Sequence, residues 1–316
     1  MCGPATLSAT VAICTANRSA LLAESLAALL PLIDSRTSEV LVVDNGSSDD
    51  TPRMLAELIS AHPSTVRAVR ENRPGLSAAR NRAVREARGE LLLFLDDDAP
   101  PGPGWLEAYL AAFGETRAAA AGGPVEPIFG GALPDWLDSR FLPYLTAWDR
   151  GREVVALHYN ELPRGANMGF RRAMFETYGD FLEQLQRKGT GLRTCEDIEF
   201  CLRLERGGEE ILYLPKALVR HHVAQQRLSV SWMEARFAGQ GFSEAIIDWR
   251  HAGIRGLRIG LQRVARFRPG PADDVHAQCL GHTRSGYRRG ALYALFFVAP
   301  YRSPGAVALA RFDPSP

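Results

Sequence analysis

Lysine is almost missing from this 316-residue chain: of its 37 basic residues, all but Lys188 and Lys216 are arginine. So strong a bias reflects base composition rather than function, and a high-GC bacterial source is expected. Excess charge is missing too. A net charge of +1 with 23% charged residues excludes a disordered tail or a nucleic-acid-coating protein. The five cysteines (Cys2, Cys14, Cys195, Cys201, Cys279) are odd in number and form no CxxC. That excludes a secreted disulfide scaffold and points to a reduced, cytosolic compartment. Residues 1–10 have no basic segment followed by an apolar one, so no signal peptide is expected. No uncharged apolar run reaches the ~18–20 residues that cross a bilayer. The best, 290–300, is too short and reads as a buried helix or, as the alternative, a segment lying against a membrane surface. No GxGxxG follows the first strand, which excludes a dinucleotide dehydrogenase, and Gly239-Gln240-Gly241 comes late, inside a helical pattern.

What is present is a 46% hydrophobic composition, enough for a large core, in a regular order. Residues 8–15 read as a strand and 19–30 as a helix stopped by Pro31. Residues 39–44 (EVLVVD) are an apolar run of the kind buried on both faces. Asn45-Gly46 makes a turn, and a helix starts at Thr51-Pro52, capped by Asp50 or Thr51. A strand at 66–70, a helix at 76–87 and a buried strand at 90–95 follow. This alternation predicts a parallel sheet with helices on both faces, whose ligands bind at the carboxyl ends of the strands. Asp44 and Asp96-Asp97-Asp98 stand at two such ends. Residues 122–159 read as loops with short strands, 194–206 as a helix, and 210–214 and 217–222 as strands. From 229 the chain is helical and basic, with 11 Arg against 3 Asp over 250–316. The expected division is therefore 1–228, with one half to about residue 100 and a second half from 101, followed by an extension over 229–316.

Three adjacent carboxylates repel one another unless a cation neutralises them, and oxygen ligands favour Mg²⁺ or Mn²⁺. Asp96 to Asp98 are thus a candidate metal site. Asp44 is placed to accept from a nucleobase imide or from ribose hydroxyls. Thr194-Cys195-Glu196-Asp197 offers a carboxylate for general-base work, although Thr194 with Asp197 is also a capping-box pattern, the better reading of that segment by itself. His221 and His222 are adjacent on a strand, so at most one of them readily faces a metal. Arg80, beside Asn81, is a candidate phosphate clamp or an exposed helix charge. The segment 165–170 is rich in small residues and would let backbone approach a ligand. Trp136 and Trp148 fall in an aromatic stretch that makes either a sugar-stacking acceptor wall or ordinary loop packing.

In order and content these segments resemble family 2 glycosyltransferases. Thr15-Ala16-Asn17-Arg18 is similar to a TYNR segment, with Ala16 in place of the tyrosine. Residues 44–51 resemble VDDGSxDxT, 75–81 read GLSAARN, and 165–172 resemble GxNxxxRR. Glu196-Asp197 resembles the ED pair, and His221 or His222 the late histidine; the likeness covers roughly 9–243. It implies the GT-A fold, an α/β Rossmann-like nucleotide-binding sheet with helices on both faces, plus the mainly helical extension. It implies a non-processive, inverting transfer from a nucleotide-diphosphate sugar: a UDP-sugar first, a GDP- or dTDP-sugar otherwise. Thr15, Asn17, Arg18, Asp44, Arg80, Asn81, Asp96, Asp97 and Asn167 would bind the donor. Asp98 with His221 or His222 would hold Mn²⁺ or Mg²⁺, and Asp197 beside Glu196 would be the base. Acceptors open to such an enzyme are a glycan, a lipid-linked sugar, a peptide or a small molecule, with no nucleic acid. The C-terminal part lacks a QxxRW-type motif and multiple spans, which favours single transfers. The basic extension is either a solvated cap or a peripheral contact with the inner face of the membrane. Two alternatives stand beside this reading. One is a sugar-phosphate nucleotidyltransferase, disfavoured because the loop 16–19 has no glycine. The other is a degenerate member of the fold that binds without turnover.

Overall fold

The computed structural model describes residues 7–159, 161–186, 191–267 and 274–301. Cys2, Lys188, Arg268, Asp273, Arg302, Arg311 and Asp313, and the leader reading of residues 1–6, lie outside the described residues. The first half alternates as the apolar spacing predicts: β1 (Ala9–Thr15), α1 (Ser19–Leu29), β2 (Ser38–Asp44), α2 (Thr51–Ala61), β3 (Val66–Arg70), α3 (Leu76–Glu86) and β4 (Leu91–Asp96). β2, β1 and β4 are buried on both faces, which is why they read as continuous apolar runs. After α4 (Trp105–Glu115) come β5 (Ala120–Gly122), β6 (Val125–Phe129), β7 (Val155–Ala156), β8 (Asn167–Arg171), α5 (Ala173–Tyr178), α6 (Glu196–Arg206), β9 (Ile211–Tyr213) and β10 (Val219–Val223).

The main sheet runs β3-β2-β1-β4-β8-β5-β9-β7, and β10 with β6 forms a separate two-stranded sheet. The first four strands in that order are parallel, while β8 is antiparallel to β4. The register sets Thr15 opposite Asp44 and Cys14 opposite Asp96, so the chemistry-bearing residues share one carboxyl edge. Side chains alternate between the faces. Val11, Ile13, Val40, Val42, Leu93 and Leu95 pack beneath α1 and α4 with Leu22, Leu26, Trp105 and Phe113. Ala12, Leu41, Val43, Leu92 and Phe94 pack on the other side with α3 and α6.

The extension is α7 (Val230–Ala265) and α8 (Val275–Phe297). α7 is not one rod. Gly253 has φ +56° and ψ −144°, and Arg263 Nη2 lies 3.1 Å from Glu244 Oε2. In a straight helix 19 residues span ~28 Å, so the chain reverses at Gly253 into two antiparallel arms. Glycine allows this left-handed turn without a Cβ clash. α8 lies against the first arm at glycine contacts: a Cβ at Gly286 would sit 1.9 Å from the Ala238 carbonyl. Ile246, Ile247, Ala294 and Val298 join the core cluster of Phe200 and Phe170, so the extension is packed onto the sheet domain. A buried polar knot fastens it. Glu199 of α6 accepts from Arg203 at 3.1 Å and from Arg250 at 2.7 Å, and contacts His251 at 3.1 Å.

Two capping expectations fail. α6 begins at Cys195 in the left-handed region, with no side-chain cap, because Asp197 bonds elsewhere. α2 takes neither Asp50 nor Thr51 as a side-chain cap. Asp50 pairs with Arg53, and it is Asp49 that accepts from the Thr51 N–H at 3.0 Å.

Candidate active site

The carboxyl edge of β1 and β4 opens into a cleft of about 680 Å³, closed on its other sides by 162–166, the start of α6, His221 and the first arm of α7. Asn17, Thr146 and Cys195 are the only non-glycine residues with positive φ among the described residues, and all three line it. Strained backbone of this kind persists where surrounding structure holds it, and it gathers at functional sites.

Arg18 dominates the floor. Its Nη1 donates to Asp97 Oδ1 at 2.9 Å and to Asp98 Oδ2 at 2.7 Å. Asp97 also accepts from Thr15 Oγ1 at 2.7 Å. Burial, with help from the neighbouring Asp98 charge, outweighs Arg18 and pushes Asp97 up to about 6. Asp98 is buried as well, but the His221 hydrogen bond and charge, then Arg18 and Arg227, overcome that and hold its carboxyl far below the usual range.

His221 is 2% exposed with Nε2 3.3 Å from Asp98 Oδ1, while its buried Nδ1 has no hydrogen-bond partner. Asp96, Asp98 and His221 each offer a ligand atom, and these atoms lie within 4.8 Å of one another. Two carboxylates and one imidazole are a donor set that could hold a divalent cation while leaving room for substrate oxygens. His222 points the other way, as alternation along β10 requires, and pairs with Glu24 at 2.9 Å. The structure therefore does not bring His222 into this cluster.

Across the cleft, Asp197 Oδ2 accepts from the Gly165 N–H at 2.7 Å, and Oδ1 from the Ile198 N–H at 2.8 Å. Glu196 turns inward, is 4% exposed and binds Arg80. Arg80 is not an exposed charge, and its guanidinium is paired with protein groups at the cleft wall. It is 2% exposed, bridges Glu196 and Asp96, and donates to the Gly165 carbonyl at 3.0 Å. The small-residue segment is half explained by this. A Cβ at Gly165 would meet Arg80 at 2.6 Å and Asp197 at 3.0 Å, whereas Gly169 is small because Leu93 and Tyr109 press on it in the sheet.

The other expected residues, Asn17 excepted, do not line the cleft. Asn81 binds the backbone of Phe181 through both amide atoms, at 2.8 and 3.0 Å. Asn167 is wholly buried, accepting from Trp105 and Tyr109 and donating to the Pro124 and Ala217 carbonyls. Trp136 stacks edge-on with Phe141 and Trp148 with Tyr213, and neither tryptophan lines the cleft. Asp44 is buried at the strand end, accepts from the Ser47 N–H at 2.8 Å and lies beside Asn45, which lines the cleft. Asn17 accepts from the Ser48 and Asp49 N–H groups and so ties the first loop to the Asp44 loop.

The sequence reading missed Arg227, Arg236, Gln240 and Glu244, which line the cleft from the far side. Arg236 donates to Gln240 and Gln240 to Glu244, both at 3.0 Å, along one face of α7. Their four-residue spacing was the available signal, hidden by treating 229 onward as a separate basic cap.

Comparison with known proteins agrees with this geometry. The model of "Glycosyl transferase family 2" matches residues 10–179. The chain belongs to that family. It is 29% identical over 261 residues to the succinoglycan biosynthesis protein ExoM of Rhizobium meliloti, covering 81% of each chain. It is 26% identical over 214 residues to a glucosyl-dolichyl phosphate glucuronosyltransferase of Haloferax volcanii, covering 66% of this chain and 67% of the relative. Among solved structures it is similar to a mannosyltransferase of Pyrobaculum calidifontis in complex with GDP-Man and Mn²⁺. The TM-score is 0.58 at 19% identity, over 93% of this chain and 88% of that one. A structure of GalNAc-T7 with UDP, GalNAc and Mn²⁺ gives a TM-score of 0.59 at 16% identity, over 93% of this chain and 58% of the other. The fold is thus GT-A with a helical C-terminal part, and the family 2 chain is a glycosyltransferase.

Proposed function

We propose that this glycosyltransferase transfers a sugar from a nucleotide diphosphate donor by one inverting, in-line displacement, with Mn²⁺ or Mg²⁺ at Asp96, Asp98 and His221. The observation that carries the proposal is the facing arrangement of that triad and Asp197 across one cleft. A bound divalent cation would stabilise charge on the departing diphosphate. Asp44 and Asn17 flank the place where the base and ribose would lie, and Thr15, Arg18 and Asp97 the sugar and phosphates. Arg18 is well suited to exchange its two carboxylates for phosphate oxygens, which have the same charge and fork geometry. Asp197 serves as base. Its two backbone N–H bonds fix the carboxylate, and its remaining lone pairs can take the acceptor proton. Glu196 positions Arg80 and does not itself receive the proton.

The donor is a UDP-sugar by preference, with GDP- and dTDP-sugars as the alternatives; solved relatives of this fold are described with GDP-Man, UDP or UDP-GlcNAc. A lipid-linked saccharide is the acceptor favoured, since the Haloferax relative is named for glucosyl-dolichyl phosphate. We place the reaction in the cytoplasm, peripheral to the membrane, with 1–228 as the catalytic part and 229–316 as its extension. In support, no helix among the described residues is long and apolar enough to cross a membrane, and Cys14, Cys195, Cys201 and Cys279 are free thiols. The test is a thermal-shift panel of nucleoside diphosphates and sugar nucleotides, with and without Mn²⁺, on wild type and Asp98→Asn. Ligands that bind only the folded state raise its stability. A metal-dependent shift with one base, lost in Asp98→Asn, is expected. Product NMR then reads the anomeric configuration, and retention would overturn the single displacement. Nucleotide binding without hydrolysis or transfer to any acceptor class would mark a degenerate member instead.

A further inference from the structure

Six of the nine exposed large hydrophobic side chains among the described residues lie on the second arm of α7 and on α8. Phe296 is 78% exposed, Ile254 73%, Phe297 65% and Leu292 61%. Four such side chains in solvent on two adjoining helices make a patch rather than scattered singles, and such patches mark interaction sites. On α8, Leu292, Leu295 and Phe296 fall at i, i+3 and i+4, one stripe of a helix, and exposed Arg288 and Arg289 continue it by one turn. On the α7 arm, Ile254, Arg258 and Leu261 fall at i, i+4 and i+7, with exposed Arg255 beside them. The inner sides of the two helices are used up: Leu257 and Val264 pack with Tyr287 and Ala291, and a Cβ at Gly260 would lie 1.8 Å from Tyr287 Oη. The stripes therefore face outward. No Asp or Glu occurs in 254–267 or 275–301, so the charge on this face is all of one sign.

Apolar side chains beside arginines, with no acid among them, match an anionic bilayer. The apolar groups enter the acyl boundary and the guanidinium groups meet lipid phosphates. We propose that the outer face of the α7 second arm and α8 docks this enzyme on an anionic lipid surface. Docking there also positions the cleft. The first arm of the same α7 supplies Arg236, Gln240 and Glu244 to the cleft wall, so the helical unit that meets the lipid also borders the acceptor end. This consequence, delivery of a lipid-linked acceptor, rests on the transferase reading; the docking itself does not.

The test is co-sedimentation of the full chain with phosphatidylglycerol vesicles and with phosphatidylcholine vesicles. The variants are Phe296→Ser with Phe297→Ser, and Arg288→Glu with Arg289→Glu, all outside the cleft. Wild type is expected to bind phosphatidylglycerol over phosphatidylcholine, and each double variant to lose at least about tenfold in affinity, the arginine pair more at low salt. Absence of wild-type binding, or variants that bind like wild type, would overturn the proposal. So would a dimer seen by light scattering that the phenylalanine variant abolishes without any vesicle binding, since a second copy would then occupy the face. Circular dichroism of each variant guards against misfolding. The nucleotide thermal shift is read on the same samples. Its loss in every protein would sink the donor reading and leave docking standing.

Discussion

Arg80 Nη1 donates to Glu196 Oε1 at 2.5 Å, and the other terminal nitrogen of the same guanidinium reaches Asp96 at 3.3 Å. A buried arginine thus links the start of α6, which carries Asp197, to the end of β4, which begins the acid cluster. One side chain therefore ties together the two sides of the proposed site. Removing one partner of such a pair leaves a buried charge alone, at a cost of about 3–5 kcal/mol. Arg80→Ala is therefore expected to lower the melting temperature sharply. Arg80→Lys keeps the charge but not the fork, so kcat should fall by about tenfold or more while the donor dissociation constant stays within about threefold. A variant that loses donor affinity and keeps kcat would show that Arg80 binds phosphate after all.

The two histidines of β10 separate cleanly. His221 faces Asp98 from a buried position, and His222 faces Glu24 near the surface. His221→Ala should weaken Mn²⁺-dependent nucleotide binding by about 10- to 100-fold, as loss of a ligand or its support does. His222→Ala removes only a half-exposed contact with Glu24, worth at most about 1 kcal/mol, and should leave metal dependence unchanged. Manganese titration of the thermal shift distinguishes them, and equal effects would remove His221 from the proposed site.

The fold was legible because its first hundred residues are locally consistent. EVLVVD lies within the buried strand β2 and LLLFLD is the buried strand β4, and each strand ends at the acid the spacing placed there. The side-chain partners were not legible. Asn81 and Asn167 lie in segments that look like ligand contacts, yet each completes hydrogen bonds of buried backbone, a requirement that depends on chain 43 to 100 residues away. Which histidine faces inward needed the strand's phase, and a two-residue motif cannot supply it. The reversal at Gly253 was equally hidden, since a glycine within a helical pattern reads as a weak spot rather than a turn.

Asn81 and the two tryptophans test that distinction between structural and ligand-binding roles. Asn81→Ala would leave the Phe181 N–H and carbonyl unsatisfied in the core, costing about 1–3 kcal/mol per group. Trp148 is 8% exposed and packs on Tyr213, so Trp148→Ala should cost about 3–5 kcal/mol in stability. Trp136 is only partly buried, and Trp136→Ala should cost less. Assayed below their melting temperatures, all three should keep the wild-type donor and acceptor KM. A raised acceptor KM in either tryptophan variant would restore the stacking wall as the reading of that segment.

Two buried acids at the junction with the extension, Glu199 of α6 and Asp248 of α7, shift the pH dependence of stability with opposite sign. Burial alone would raise Glu199, but the His251 hydrogen bond and the charges of Arg203, His251 and Arg250 overcome it and bring the carboxyl from 4.5 to about 2. A depressed acid contributes stability that is complete above its unfolded value, so this share is lost as pH falls from about 4.5 toward 2, about 3 kcal/mol in all. Asp248 goes the other way: burial lifts it from 3.8 to about 6 against the pull of Arg263 and the Tyr287 hydrogen bond. Its ionisation costs stability, so the fold should gain as pH falls from 6 toward 3.8, again by about 3 kcal/mol. The two contributions together should accordingly be most favourable where the windows overlap, at about pH 4. Asp248→Asn should melt higher than wild type at about pH 8 and lose that advantage at about pH 4, where the wild-type acid is largely neutral already. Glu199→Gln should melt lower at neutral pH and converge on wild type as Glu199 itself protonates. Melting temperatures of the three proteins across that range check both signs at once. Parallel curves would mean that neither carboxyl titrates as its surroundings imply.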